Sequence, residues 1–293
     1  MKVLIITNLF PTTQNTTSGI FITNRLKEYT KFNVEYKAVS LGYEDSATVR
    51  ILKKILRKKD IKSLDHYGEV FYLPITSNRS LIDVIKLKLN RYENLARKYA
   101  EIIQAYVNVY NYDIVHAHGM FQTPAGEVAK ELAIRYHKPF VVTLHGDDVN
   151  FLMEKRKKSY VLTLEKSSKV IFVSKALLDK ACRLGYNPKN SVVIQNGYNP
   201  KIFYPLDKEL VRSYLNIQAP DCKYVGFVGA LELVKRADAL IKIFRFIREK
   251  IHKIKFIVVG DGTLGNKLKK EAERAHLDVL FTGWINQSEV MKY

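Results

Sequence analysis

Short apolar runs alternate with helix-like segments along almost the whole chain, and this alternation restricts the fold more than any other feature. The runs are KVLIITNLF, NVEYKAVS, GEVFYLP, DIVHAH, PFVVTLH, KVIFVS, SVVIQN, KYVGFVG, KFIVVGD and DVLFTG. Between most of them lie segments of helical spacing. SGIFITNRLKEYTK sets Ile20, Leu26 and Tyr29 on one face, and TPAGEVAKELAIRYH is another such segment. Residues 80–110 hold neither Gly nor Pro and read as one long helix. Strands that alternate with helices form parallel sheets covered on both faces, so an α/β fold is expected. No repeat of 20–50 residues and no low-complexity segment interrupts the pattern.

The 293 residues exceed one typical domain and suit two. NGYNPKIFYPL, residues 196–206, has Gly197, Pro200 and Pro205 and no periodic run, which is linker chemistry. It divides the chain into expected domains 1–198 and 199–293. The second has three convincing strands, KYVGFVG, KFIVVGD and DVLFTG, and stops at QSEVMKY. Three parallel strands leave sheet edge and helix faces uncovered, so the second domain is expected to be incomplete.

Composition removes several classes of function. No apolar run reaches the ~20 residues of a membrane span, and MKVLIITNLFPTT reads as a first strand, not a signal peptide. Cys182 and Cys222 are far apart and neither lies in a CxxC pair, which suits a reducing cytosol. A cytoplasmic location follows as the expectation. The net charge of +19 would attract nucleic acid, an anionic membrane or small anions. Residues 49–63 are the densest piece, with seven bases and one acid, and Ile51, Leu52, Ile55 and Leu56 recur there at helical spacing. A basic amphipathic helix of this kind lies on anionic lipid; the alternative is a solvated surface helix with one face packed on its domain. No helix-turn-helix, zinc or RNA-recognition signature accompanies the charge, which spreads over both domains, so no nucleic-acid partner is expected.

Polar and glycine-rich loops follow the strands: PTTQNTTSGIF, HGMF, HGDD, NGY, GALELVK, GDGT and TGW. In open parallel sheets ligands bind beyond the carboxyl ends of the strands. Peptide N–H groups at helix starts attract phosphate and sugar oxygens there. There is no GxxxxGK[ST] loop, and the first loop lacks GxGxxG; GDGTLG at 260–265 has that spacing without the acidic partner a dinucleotide site needs. His116, His118, His145, Asp147 and Asp148 invite a metal reading, because residues two apart on a strand share a face. A buried, hydrogen-bonded strand-end role suits His116 better. For His118 a loop-supporting and a cleft role stay open. Lys235 reads as lying at a helix N-terminus, where it opposes the helix dipole and would be relieved by an anionic partner.

Taken in order, the opening strand–loop–glycine–helix, DIVHAHG, VVTLHGDDV, VIFVSKAL, VIQNGYNPKIF, VGALELVK, VVGDGTLGNKL and FTGWI resemble retaining glycosyltransferases of family 4. The resemblance implies the GT-B architecture of two Rossmann-like domains facing a cleft. It implies sugar transfer from a nucleoside diphosphate donor to a glycan or lipid-linked acceptor, in cell-surface polysaccharide or glycolipid synthesis, with no metal or other cofactor. By that resemblance Gly19 lies near the donor phosphates and acceptor, His145 contacts the donor sugar, and Asp148 orients the HGxD loop. Lys235 and Gly229 belong to the diphosphate segment. Gly260 and Gly262 form the GDG turn, Gly283 the next strand-end turn by the base, and Asn196 and Gly197 the interdomain turn. Amides and a lysine stabilise a leaving diphosphate without a metal.

Two features depart from the pattern. The family commonly has arginine directly after the glycine of GRLxxxK, whereas Ala230 follows Gly229 here, leaving Arg236 as the substitute cation. The family's paired glutamates should follow QSEVMKY. Their absence from these residues leaves a catalytically inactive, membrane-associated binding protein as the alternative expectation.

Overall fold

The computed structural model describes residues 1–13, 18–57, 64–89, 93–121, 123–219 and 221–293. It divides into two compact units, Met1–Gly197 and Tyr198–Tyr293.

The first unit is built on strands β1 (Lys2–Thr7), β2 (Glu35–Asp45), β3 (His66–Tyr67), β4 (Val70–Phe71), β5 (Leu73–Arg79), β6 (Ile114–His118), β7 (Phe140–Leu144), β8 (Lys169–Phe172) and β9 (Ser191–Val193). Its helices are α1 (Ile20–Tyr29), α2 (Ala47–Ile55), α3 (Leu81–Lys88), α4 (Glu93–Tyr106), α5 (Ala125–Tyr136), α6 (Met153–Lys155), α7 (Lys157–Lys166) and α8 (Lys175–Arg183). Strands β3 and β4 form a small antiparallel hairpin. The other seven are parallel in the order β5-β2-β1-β6-β7-β8-β9. Residues of β1, β6 and β7 are buried on both sides, as a sheet covered by helices requires. Leu4, Ile6, Val115, Val142 and Phe172 form one core with Tyr99 and Ile103 of α4 and Val128 and Leu132 of α5. Val3 and Ile5 face a second core with Ile22 and Leu26 of α1. The chain runs outward from β1 to β2 and β5, then returns to β6 and proceeds the other way. The switch point, the place where open parallel sheets bind their ligands, therefore lies between β1 and β6.

Three sequence expectations change. The stretch 80–110 is two helices, α3 and α4. The strand read as GEVFYLP divides into β4 and β5, and β5 runs through Pro74 to Arg79; Pro74 pairs with Ser40 at the sheet edge, where its missing N–H disrupts no ladder. The basic stretch 49–63 is helical only as far as Ile55, and its remainder from residue 58 lies outside the described residues.

The second unit holds α9 (Lys208–Tyr214), β10 (Lys223–Val228), α10 (Leu240–Lys250), β11 (Ile254–Val259), α11 (Gly265–Arg274), β12 (Val279–Gly283) and α12 (Gln287–Val290). Its three strands are parallel in the order β10-β11-β12. Phe244 of α10 stacks on Phe256 of β11 with ring centroids 4.2 Å apart, and Leu240, Val258 and Leu268 complete the core. Among the described residues of both units, no helix is long and apolar enough to cross a membrane.

Candidate active site

In the first unit the polar residues meet at the switch point. β6 ends at His118, which is paired with Thr7 of β1 on one side and Thr143 of β7 on the other. The Thr7 hydroxyl donates to the His118 carbonyl at 2.9 Å. The rings of His116 and His118 stack at 4.3 Å, since residues two apart share a face. His116 Nε2 is bonded to Thr143 Oγ1 at 2.8 Å, and His118 Nδ1 to His145 Nε2 at 3.2 Å. The buried atoms His118 Nε2 and His145 Nδ1 have no hydrogen-bond partner. Phe21 of α1 lies against the His145 ring at 4.6 Å. Four residues on, Arg25 donates to Asn196 Oδ1 at 3.2 Å.

All three imidazoles are neutral at physiological pH. Burial, helped by the positive charge of Arg25, pushes His116 and His145 down to about 3 and His118 well below its usual value. His145 is the one of the three that is only partly buried. It therefore offers a neutral ring whose orientation is set from one side by His118. Such a group exchanges hydrogen bonds with hydroxyls but is a poor proton donor at pH 7.

Asp148 supplies the second constraint. Its side chain is wholly buried at the start of a π-type turn, Asp148–Leu152. The carboxylate accepts from the backbone N–H of His145 at 2.9 Å, Gly146 at 2.8 Å and Val149 at 3.0 Å. Burial raises it to about 6 despite those amides. Its oxygens are engaged within the loop, so Asp148 positions His145. Neither Asp148 nor His116 presents a free ligand pair to a metal, and among the described residues no group of three or more His, Cys, Asp or Glu could hold one.

Gly19 is the N-cap of α1 with φ +61°, and an added Cβ would lie 2.0 Å from the Leu9 carbonyl oxygen. Only glycine permits that approach, and it places Phe21 and Arg25 at the site.

In the second unit the glycine turns gather at the carboxyl ends of all three strands. Gly229 follows β10, Gly260 follows β11 and Gly283 ends β12. Gly260 N–H donates to Gly283 O at 3.0 Å, and Gly229 N–H to Val259 O at 2.9 Å. A Cβ on Gly260 would sit 2.1 Å from Gly229 O, and one on Gly262 2.6 Å from Leu231 O. Glu232 ties this cluster by accepting from Thr263 N–H at 2.8 Å and from its hydroxyl at 2.6 Å. Lys235 is exposed beside the turns, and among the described residues no carboxylate pairs with it. It closes a 3₁₀ turn, Leu233–Lys235, and α10 begins only at Leu240, so the expected clash with a helix dipole is absent. Arg236 adopts a left-handed conformation and lies 3.5 Å from Asp238.

The structure thus brings Gly19, His118, His145, Asp148 and Asn196 together in one unit, and Gly229, Lys235, Gly260, Gly262 and Gly283 in the other. Sequence reasoning passed over Phe21, Arg25, Thr143 and the Glu232–Thr263 pair. The first two were readable as an i, i+4 pair just after Gly19, and Thr143 as the residue two before His145. Glu232 and Thr263 are 31 residues apart and carry no local signal.

Comparison with known proteins bears on the class and the fold. The model for Glycosyltransferase Family 4 matches residues 66–202, and that for Glycosyl transferases group 1 matches residues 216–293. A glycosyltransferase of Bacillus subtilis strain 168 named for teichuronic acid biosynthesis, TuaC, is 26% identical over 300 residues, covering 100% of this chain and 72% of its own. An uncharacterized glycosyltransferase of Methanocaldococcus jannaschii is 28% identical over 201 residues, covering 64% of this chain and 50% of its own. The crystal structure of HepE from Anabaena, in complex with UDP and glucose, superposes with a TM-score of 0.64 at 18% identity, covering 99% of this chain and 71% of that one. These observations define a glycosyltransferase-type enzyme of the GT-B fold. Within that class, the chain is similar to glycosyltransferases of family 4, one model matching most of the first unit and the other most of the second.

Proposed function

We propose that the protein transfers a sugar from a nucleoside diphosphate donor to a glycan or lipid-linked acceptor, with retention of configuration, in the synthesis of a cell-surface polysaccharide or glycolipid. The observation that carries this reading is His145. It is a neutral imidazole at the switch point whose Nδ1 has no hydrogen-bond partner, fixed by His118 behind it and by Asp148 beneath its loop. Such a ring suits a sugar hydroxyl. Lys235 beside the glycine turns suits the diphosphate: its ammonium, which no carboxylate pairs with among the described residues, opposes the charge that develops on the leaving group. The UDP and glucose bound by HepE, and the teichuronic acid assignment of TuaC, favour the same chemistry. In this reading the reaction needs no metal. It takes place in the cytoplasm, which the free thiols of Cys182 and Cys222 favour.

Calorimetric titration with UDP- and GDP-sugars, beside an oligonucleotide shift assay, tests the proposal. Saturable nucleotide-sugar binding that Lys235→Ala weakens by about tenfold is expected, the loss of one charge-assisted contact. His145→Ala should lower transfer by ~10²-fold or more with the fold intact and with no response to EDTA. Oligonucleotide binding without a nucleotide-sugar signal would overturn it.

A further inference from the structure

We propose that the first unit docks on an anionic membrane through two adjacent helices, α2 and α3. The inference goes beyond the basic stretch visible in the sequence and does not depend on the identity of the donor.

Both helices leave the carboxyl ends of the outer strand pair. Asp45 of β2 is in register with Arg79 of β5, and the N-cap residues Ser46 and Ser80 follow directly. Ser46 N–H donates to the Arg79 carbonyl at 3.1 Å, so the two helix starts lie side by side. Each helix presents apolar side chains outward. On α2 only Val49 is buried, whereas Ile51, Leu52, Ile55 and the C-cap Leu56 are 60%, 42%, 71% and 56% exposed. At 3.6 residues per turn those four fall within an arc of about 140°, bordered by Lys54. On α3, Leu81, Ile82, Ile85 and the C-cap Leu89 are exposed, with Ile82 at 63% and Leu89 at 61%. They span an arc of about 100°, and Lys86 and Lys88 border it on its two sides. Val84 and Leu87, on the opposite face, are the half-buried residues that join the helix to the unit.

The helix is packed on its unit by one face, at Val49, and the apolar stripe of Ile51, Leu52, Ile55 and Leu56 is left exposed. A stripe of this kind, left uncovered, would favour self-association, unless something apolar covers it. The charge pattern selects what does. Lys54, Lys86 and Lys88 are exposed. Of the nearby acids, Glu44 of β2 is exposed, and the two at the helix starts are engaged. Asp45 is held by Lys53 at 2.5 Å and Arg79 at 2.6 Å, and Asp83 closes the capping box with Ser80 at 2.8 Å. Apolar stripes with lysines along their margins, and with Asp45 and Asp83 engaged, match an acyl boundary beneath anionic headgroups, where lysine stems lie along the apolar surface and their ammonium groups reach the phosphates.

Co-sedimentation of the whole chain with vesicles tests this. Binding to phosphatidylcholine vesicles containing about one third phosphatidylglycerol should exceed binding to pure phosphatidylcholine by tenfold or more, and should weaken in high salt. Lys54→Glu, Lys86→Glu and Lys88→Glu together should remove that excess, and Ile55→Ser with Ile85→Ser should reduce binding to both vesicle types. These side chains are exposed, so the circular dichroism and the donor binding of the variants should match the parent. A tryptophan at position 85 (Ile85→Trp) should shift its emission to the blue on addition of the anionic vesicles. Equal binding to both vesicle types by the parent, or parent-like binding by either variant set, overturns the proposal. So does a dimer, detected by light scattering, that the two serine substitutions dissociate while vesicle binding is unchanged, since that face would then be a contact between copies.

Discussion

At the residue scale, Asp148 shows how a single carboxylate divides its effects between stability and activity. It accepts three backbone N–H groups, which favour its charge, yet burial outweighs them and raises it to about 6. Asp148→Asn removes a buried charge whose desolvation is the larger of the two effects. Its unfolding free energy at pH 7 is therefore expected to stay within ~1 kcal/mol of the parent. Transfer should fall about tenfold, because the amides that hold the His145 loop lose their anionic acceptor. Urea titration and initial rates separate the two; a stability loss above ~3 kcal/mol would mean that the amide bonds dominate. TLHGDDV revealed the importance of this loop, but its letters alone do not distinguish a metal ligand from a loop anchor. The distinction needs the direction of the carboxylate, which three amides set only once the π-type turn has formed.

Among elements, the glycine turns of the second unit differ in a way the sequence does not show. Gly260 has φ +129°, with Gly229 O 2.1 Å from where a Cβ would be. Gly283 has φ +70°, with no atom within 4 Å of that position. Gly283→Ala should cost only the backbone strain, about 1–2 kcal/mol. Gly260→Ala must also push the β10 turn aside and is expected to cost at least ~3 kcal/mol and to weaken donor binding with it. Thermal unfolding of the two variants checks the order; equal losses would show that the turn relaxes freely. The strands of both units were largely legible, because buried parallel strands are written as continuous apolar runs. What escaped were boundaries set by neighbours. β5 continues through Pro74 because it is an edge strand, a property of topology. The division between α3 and α4 carries no Gly or Pro to mark it. The outward turn of Ile51, Leu52 and Ile55 on α2 was also hidden, since helical spacing shows that a stripe exists and not which way it faces.

For the molecule as a whole, the stacked imidazoles make stability depend on pH in a definite direction. An unfolded histidine titrates at 6.5, whereas His116 and His145 are held at about 3 and His118 is also held well below 6.5. The unfolded chain therefore takes up three protons that the folded chain refuses, and the stability present above pH 6.5 is lost as the pH falls toward 3. Asp148 acts in the opposite sense. Its folded value of about 6 lies above the unfolded 3.8, so the folded chain takes up one proton first. Between pH 6 and 4 the difference is about two protons in favour of the unfolded state, or ~2.7 kcal/mol lost per pH unit from this cluster. The net charge of +19 grows as carboxylates protonate and adds self-repulsion in the same direction, so the slope of the parent alone does not isolate the histidines. His116→Gln does. Glutamine retains a partner for Thr143 Oγ1 but cannot titrate, so the slope of unfolding free energy between pH 6 and 4 should fall by ~1.4 kcal/mol per unit, the equivalent of one proton. Urea titrations of parent and variant at four pH values measure it. Identical slopes would mean that His116 takes up its proton in the folded state, and that the first unit opens at the switch point to admit it.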